Sequence, residues 1–175
     1  MTIAIVFDTE TTGLTLPKVA ELKQQPRIIE LAVARIEHGK IVSEHEWLID
    51  PEQHISSEIT KITGITNDMV KGKPKFRQLL GEIEDAFAGA DLLIAHNAPF
   101  DVAMLTNELE MCARLNFPWP VETICTVQEY AFIKGRRLKL TELYELKVGV
   151  PLAQTHRALD DVRALAEIII KEGLA

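Results

Sequence analysis

The chain has 175 residues, of which 47% are hydrophobic and 26% are charged, and its formal net charge is −7. This composition predicts one globular domain over residues 1–175 and excludes a disordered or fibrous chain. The negative charge argues against a protein that binds nucleic acid by electrostatics alone. No apolar stretch could cross a bilayer and no basic leader precedes the run "IAIVF". The sequence therefore predicts a cytoplasmic protein with no membrane partner.

Three strands are predicted in the first third of the chain. The first is "IAIVFDTE" (residues 3–10), and the second, "RIIELAVARIEHGK" (27–40), is almost continuously apolar and therefore central to a sheet. A turn at Gly39 leads to the third strand, "KIVSEHEWLID" (40–50). Successive strands joined by a tight turn predict an antiparallel meander.

Helices and strands alternate in the rest of the chain. Apolar residues recur at helical spacing in "FRQLLGEIEDAF" (76–87), and a fourth strand, "DLLIAH" (91–96), follows. The sequence then predicts a helix over 97–115, a fifth strand over 122–128, and two helices over 140–146 and 156–170. The predicted fold class is α/β, with a five-stranded mixed sheet flanked by helices.

Four carboxylates occupy positions that this fold would bring together. Asp8 and Glu10 lie two residues apart at the end of the first strand, so they project from the same face. Asp101 begins the helix after the fourth strand, and Asp161 lies in the first turns of the last helix. Sheets of this kind place their sites at strand ends and the adjoining helix starts.

Context separates these acids from similar patterns elsewhere in the sequence. Asp50 and Glu52 have the same spacing as the first pair, but the proline between them predicts a turn. On the last helix, Asp160 lies opposite the apolar stripe and is predicted to be solvated, whereas Asp161 lies at the stripe's edge. His156 precedes this helix and is predicted to lie on a loop.

Four clustered carboxylates repel one another and raise each other's pKa values unless cations neutralise them. Oxygen ligands select Mg²⁺ or Mn²⁺, and two such ions about 4 Å apart are the usual clamp for phosphodiester hydrolysis. His156 is the predicted general base because its unperturbed pKa lies near neutrality. His96 is an alternative base, but we expect it to be packed and hydrogen-bonded, and Glu30 to be structural.

The segments "FDTETTGL", "HNAPFD" and "HRALDDV", in that order, resemble the three motifs of the DEDDh 3′–5′ exonucleases. Among these enzymes the chain most resembles the proofreading epsilon subunit of bacterial DNA polymerase III and its relatives. The likeness extends to "RIIELA" and "ITGITNDMV", and so spans almost the whole chain. It implies a ribonuclease H-like fold and release of nucleoside 5′-monophosphates from a 3′ end.

The resemblance also implies roles for individual residues and partners. Asp8, Glu10, Asp101 and Asp161 would bind two divalent ions, and His156 would act as the base. Single-stranded or frayed DNA 3′ ends are the implied substrate, and a DNA polymerase subunit is a candidate partner. The resemblance implies that the terminal nucleotide is held by Thr11, Gly13 and Leu14. It implies that the path of the substrate strand is lined by Asn97 and Phe100. We further predict that the backbone of the substrate strand is contacted by Arg136 and Arg137, which lie in a basic strip before the third motif.

The chain departs from the family pattern at three places. Thr63 stands where many relatives have a histidine, the 14–26 loop is longer than usual, and the chain ends at Ala175 without a polymerase-binding tail. Two alternatives stay open at this point. One is a 3′–5′ exoribonuclease of the same family, and the other is a non-catalytic module that binds nucleic acid or a polymerase.

Overall fold

A computed structural model describes residues 2–17 and 21–175, and a five-stranded sheet forms its centre. The strands are β1 (Ala4–Thr11), β2 (Ile28–Glu37), β3 (Lys40–Leu48), β4 (Leu92–Ala95) and β5 (Glu122–Cys125). Strand β2 is antiparallel to β1 and to β3, whereas β4 is parallel to β1 and to β5. The order across the sheet is β3-β2-β1-β4-β5. This topology confirms the predicted mixed sheet.

The turn between β2 and β3 forms where the sequence predicts it. His38 and Gly39 have φ values of 53° and 70°, both in the left-handed region. A two-residue hairpin of the type that matches strand twist requires positive φ at both positions, and glycine adopts it without strain.

Four of the described helices correspond to predicted ones: α3 (Phe76–Phe87), α4 (Ala98–Met111), α6 (Leu140–Val148) and α7 (Ala158–Glu172). Three short helices were not predicted, because none is long enough to show a periodic apolar stripe. They are α1 (Ser57–Thr63), α2 (Asn67–Val70) and α5 (Thr126–Glu129). In the part of the chain that the structure describes, no helix is both long and apolar enough to cross a membrane.

Predicted and observed ends of the elements differ by up to four residues, and two of these differences have a clear physical cause. Helix α4 ends at Met111 rather than at residue 115, because Ala113 has a φ of 53° and cannot continue the helix. Strand β5 ends at Cys125 rather than at residue 128, because its partner β4 ends at Ala95 and the chain then turns into α5. In both cases the element ends earlier than predicted, at its C-terminal end.

Alternate residues of β1 face two different hydrophobic layers. Ile5 and Phe7 pack in the layer formed by α3 and α4, whereas Ala4 and Val6 pack against α6 and α7. Both tryptophans belong to the first layer, with Trp47 buried and Trp119 packed edge-on against Phe87 and Phe117. The end of β1 therefore lies between two helical layers.

Candidate active site

Asp8 and Glu10 project from the α7 face of the sheet. They continue the alternation of Ala4 and Val6, and Glu10 lies opposite Glu30 of β2 in the register. A shift in register after Glu10 marks the end of regular pairing. Because β1 lies between β2 and β4, both carboxylates emerge near the centre of the sheet rather than at an edge.

Asp161 reaches this pair from the first turn of α7. One carboxylate oxygen from each of Asp8, Glu10 and Asp161 lies within 4.8 Å of the others. The Gln154 side-chain amide donates a hydrogen bond of 2.8 Å to Asp161 Oδ2. Asp161 is buried and Asp160 is exposed, as the position of the apolar stripe predicts.

Asp101 approaches the same strand end from the α4 layer. Its Oδ1 accepts hydrogen bonds from the Thr9 backbone N–H at 3.1 Å and the Thr9 hydroxyl at 2.7 Å. Thr9 points to the opposite face of β1 from Asp8 and Glu10, so one strand joins acids from both layers. Asp101 is buried, and it lies close enough for its charge to raise the pKa of Asp8.

Burial raises the pKa values of all four acids, and repulsion from the other acids of the cluster adds to the effect at Asp8 and Glu10. Burial raises the pKa of Asp8 well above 3.8, and the charges of Asp101, Glu10 and Asp161 raise it further. Burial, with the charges of Asp161 and Glu30, raises the pKa of Glu10 from 4.5 to about 8. Burial also raises the pKa of Asp101 and of Asp161, although hydrogen bonds from Thr9 and Gln154 oppose the effect.

This donor set fits a hard divalent cation. The clustered ligand atoms are all carboxylate oxygens, the type that Mg²⁺ and Mn²⁺ prefer. A bound cation would replace the protons that the raised pKa values otherwise keep on these groups at neutral pH.

Glu30 has the structural role that the sequence predicts. It is fully buried, and both of its oxygens bond to the Arg157 guanidinium. Glu30 also accepts a hydrogen bond of 2.9 Å from the backbone N–H of Ala158, the first residue of α7. The pair thus attaches the start of α7 to β2 and holds Asp161 one turn further on.

His156 lies on the loop immediately before α7, as predicted. It is exposed, with a φ of 54°, and its charge acts on Asp161 to lower that residue's pKa. His96 is instead packed: its Nδ1 lies 2.9 Å from Thr126 Oγ1 and its Nε2 lies 3.1 Å from the carbonyl oxygen of Leu138. Burial lowers the pKa of His96. Of the two histidines, the one on the loop is therefore the exposed one whose charge acts on Asp161.

The end of β1 and the turn after it follow directly on Glu10. The Thr11 hydroxyl donates a hydrogen bond of 2.7 Å to the carbonyl oxygen of Gly13, which fixes the turn. Leu14 is 79% exposed, so its side chain is free to contact a ligand. Residues 18–20 of the predicted long loop lie outside the described residues. Thr63 is buried, and its hydroxyl donates to the Ile59 carbonyl and accepts from the Ile65 N–H.

The other predicted substrate residues lie near the start of α4. Asn97 precedes the helix with a φ of 80°, and Phe100 lies partly buried in its first turn. Arg137 donates from Nη2 to Asn97 Oδ1 at 2.6 Å. Arg136 turns away and pairs with Glu142 at 2.5 Å. Of the two arginines, Arg137 is the one whose side chain bonds to the residue at the start of α4.

The competing Asp-x-Glu pattern forms a surface turn. The Asp50 Oδ1 accepts from the backbone N–H of Glu52 at 3.0 Å, and Glu52 pairs with Lys75 and Arg77. The Glu52 carboxylate therefore forms its ion pairs with these two basic side chains and is not part of the acidic cluster.

Three residues that support the cluster were not identified from the sequence: Thr9, Gln154 and Arg157. The position of Thr9 between the two acids of β1 was a usable signal, since alternation places it on the other face. Nothing local marks Gln154 or Arg157, because their partners are defined only when α7 packs on the sheet.

The chain matches an exonuclease family, RNase_T, over residues 5–169. DNA polymerase III subunit epsilon of Treponema pallidum (strain Nichols) is 32% identical over 163 residues, which cover 93% of this chain and 72% of that protein. The PolC-type DNA polymerase III of Clostridium perfringens (strain 13 / Type A) is 33% identical over 165 residues, which cover 94% of this chain. The chain spans only 11% to 12% of the length of such PolC-type relatives.

Solved structures show the same arrangement of elements. Exonuclease X in complex with 5′ overhanging duplex DNA superimposes with a TM-score of 0.68 at 27% identity, covering 97% of this chain and 92% of that one. The nuclease domain of 3′hExo, a DEDDh family member bound to rAMP, superimposes with a TM-score of 0.75, covering 98% and 92%. At 21% identity, this second likeness concerns the fold alone.

Proposed function

We propose, on the premise that this chain belongs to the DEDDh 3′–5′ exonuclease family, that it hydrolyses the 3′ ends of single-stranded or frayed DNA. Members of this family have a ribonuclease H-like fold, which agrees with the expectation from the sequence motifs. The observation that carries the proposal is the meeting of acids from β1, α4 and α7 at one strand end, beside the loop of His156.

The proposed chemistry assigns each residue one task. Asp8, Glu10, Asp101 and Asp161 would hold two divalent ions, Mg²⁺ or Mn²⁺, whose chemistry there would be the activation of a water and the stabilisation of the leaving 3′ oxygen. His156 takes the proton of the attacking water, and its exposed loop lets it approach and withdraw. The P–O bond to the 3′ oxygen of the preceding nucleotide breaks, and a nucleoside 5′-monophosphate leaves.

Substrate binding is assigned to the two segments that border the acids. We propose that the turn of Thr11, Gly13 and Leu14 holds the terminal nucleotide, and that Asn97 and Phe100 contact the strand at the start of α4. The exposed side chain of Leu14 and the fixed turn before it support this assignment.

DNA and a polymerase partner are supported by the relatives. Exonuclease X was solved with duplex DNA carrying a 5′ overhang, and the similar full-length relatives are subunits or parts of DNA polymerase III. We therefore propose proofreading or repair beside a polymerase in the cytoplasm.

A gel time course with 5′-labelled single-stranded DNA and RNA of one sequence tests the proposal. Each is incubated with Mg²⁺, with Mn²⁺ or with EDTA, using wild type, Asp8→Ala and the matched control Asp50→Ala. We expect a metal-dependent ladder that shortens from the 3′ end of DNA, is lost in Asp8→Ala and persists in Asp50→Ala. Faster loss of RNA would assign the chain to the exoribonucleases. Intact substrate in every metal lane would favour a binding module.

A further inference from the structure

A cavity of about 510 Å³ lies between the start of α3, the end of α4 and the loop before β2, outside the acidic cluster. Lys75 and Arg77 belong to the basic segment "KGKPKFR" (71–77), and Lys23 belongs to the long 14–26 loop. Segments far apart in the sequence thus supply its charge. The cavity is lined by cationic side chains (Lys23, Arg27, Lys75 and Arg77), one carboxylate (Glu52) and an apolar wall (Leu80, Met111 and Cys112).

The cationic side chains of this cavity outnumber the carboxylates that they contact. Arg27 pairs with Glu108, a buried acid of α4, through two hydrogen bonds of 2.8 Å. Lys75 and Arg77 share the single carboxylate of Glu52. Within the described ranges 2–17 and 21–175, the fourth cation of the lining, on the loop before β2, has no carboxylate at ion-pair distance. The cavity therefore carries an excess of positive charge.

Glu52 occupies the place of an anion among these cations. Its carboxylate accepts hydrogen bonds from Lys75 and Arg77, and its φ of 55° is a left-handed conformation that a non-glycine residue adopts at a cost. Exposed ion pairs of this kind contribute little to stability, because water and salt screen them. Phosphate oxygens accept the same charge-assisted hydrogen bonds from lysine and arginine, so a phosphate can replace this carboxylate.

The cavity and the start of α4 lie on opposite sides of β1. Strand β1 lies between β2 and β4 in the sheet. Asn97 follows β4, whereas Arg27 precedes β2, which is antiparallel, so both lie at the edge where the acids of β1 emerge. The backbone N–H of Thr12 donates to the carbonyl oxygen of Arg27 at 2.9 Å, which joins the cavity to the turn after β1. A nucleic acid along this edge would pass the acids between these two regions.

We propose that this cavity binds phosphates of the strand that is not cleaved, where that strand extends past the 3′ end as a 5′ overhang. The inference rests on the proposed function, which puts the 3′ terminus at the acids and the rest of the cleaved strand at the start of α4. The complementary strand of a recessed end continues beyond that terminus, and this continuation falls on the β2 side, where the cavity lies. One phosphate binds Lys23, and another displaces Glu52 from its two basic partners. The site would favour recessed 3′ ends over blunt ones.

Binding to three DNA substrates with the same 3′-terminal sequence tests the site. They are a single strand, a blunt duplex and a duplex with a 5′ overhang on the complementary strand, and anisotropy in EDTA gives each Kd without cleavage. Lys23→Ala and Lys75→Ala should each weaken binding of the overhang duplex by roughly 3- to 10-fold. Each should also lower the salt slope of log Kd by roughly 0.7, the value for one phosphate of a single strand. Binding of the other two substrates should stay within about twofold of wild type.

Glu52→Gln should change the affinity in the opposite direction. This variant should bind the overhang duplex more tightly than wild type, because the phosphate no longer has to displace a carboxylate. Lys171→Ala is the control, since it removes the same charge from the last turn of α7 and should leave all three Kd values unchanged. Equal losses on all three substrates, or an overhang Kd that neither lysine variant changes, would overturn the site.

Turnover separates this site from the proposed function. With Mg²⁺, wild type should shorten the single strand from its 3′ end, and Lys75→Ala should do so at the same rate, because the cavity lies outside the acids. On the overhang duplex, Lys75→Ala should raise KM and leave kcat unchanged. A wild type that shortens no substrate would overturn the proposed function. A wild type that cleaves, but binds the overhang duplex no better than the blunt one, would overturn the cavity site alone.

Discussion

Removing the charge of Glu10 should stabilise the metal-free protein at high pH. In the unfolded chain this carboxyl ionises near its ordinary pKa of 4.5, whereas the folded protein keeps the proton until about pH 8. Between these values the native state binds more protons than the unfolded state, so the free energy of unfolding falls as the pH rises. Glu10→Gln mimics the protonated form and should escape that loss.

The size of the effect follows from the difference between the two pKa values. At about 1.4 kcal/mol per pH unit the upper limit is about 5 kcal/mol, and partial exposure reduces it. We expect Glu10→Gln to be more stable than wild type by about 2 to 3 kcal/mol at pH 8, and equal to it at pH 5. For a domain of this length, that difference corresponds to roughly 5 to 10 °C in Tm.

Urea unfolding in EDTA, followed by tryptophan fluorescence at pH 5 and pH 8, measures this difference. Glu52→Gln is the matched control, because a hydrogen bond from Lys75 lowers the pKa of Glu52 and no gain at pH 8 is expected. Adding Mg²⁺ should stabilise wild type at pH 8 more than Glu10→Gln, since the cation relieves the same repulsion. A variant that is no more stable than wild type at pH 8 would refute the repulsive cluster.

Three further substitutions test other parts of the site. His156→Ala should lower kcat by roughly 10²- to 10⁴-fold in the 3′-end assay with little change in KM, and full turnover would exclude it as the base. Thr9→Val removes the 2.7 Å hydrogen bond from the Thr9 hydroxyl to Asp101. In a metal titration, activation by Mg²⁺ should be weaker by roughly tenfold. An unchanged titration would show that this bond does not position Asp101. Arg157→Met leaves Glu30 buried without its partner and should lower the free energy of unfolding in urea by about 2 to 4 kcal/mol. The double variant Arg157→Met with Glu30→Met should restore most of this loss. A single variant as stable as wild type would contradict that role.

Local patterns were sufficient to predict the elements that carry the site. The strand alternation around Asp8 and Glu10, and the apolar stripe of α7 that separates Asp160 from Asp161, each depend on a few neighbouring residues. The mixed sheet followed from the order of such segments. These features needed no knowledge of distant contacts.

The contacts that hold the site together depend on residues far apart in the sequence. Arg157 meets Glu30 across 127 positions, and Thr9 meets Asp101 across 92. Spacing along the chain carries no information about such pairs. The left-handed conformation of Asn97 and the short helix α5 were missed for a related reason, since packing at the end of β4 determines both.

The acids that meet at the end of β1 are spread from residue 8 to residue 161 and belong to both helical layers. During synthesis, a ribosome must therefore expose nearly all of this domain before the four carboxylates can come together. A nascent chain that already displays Asp8 and Glu10 has no partner from α7 and cannot complete the cluster. The cluster is therefore completed late in folding, once α7 has packed on the sheet.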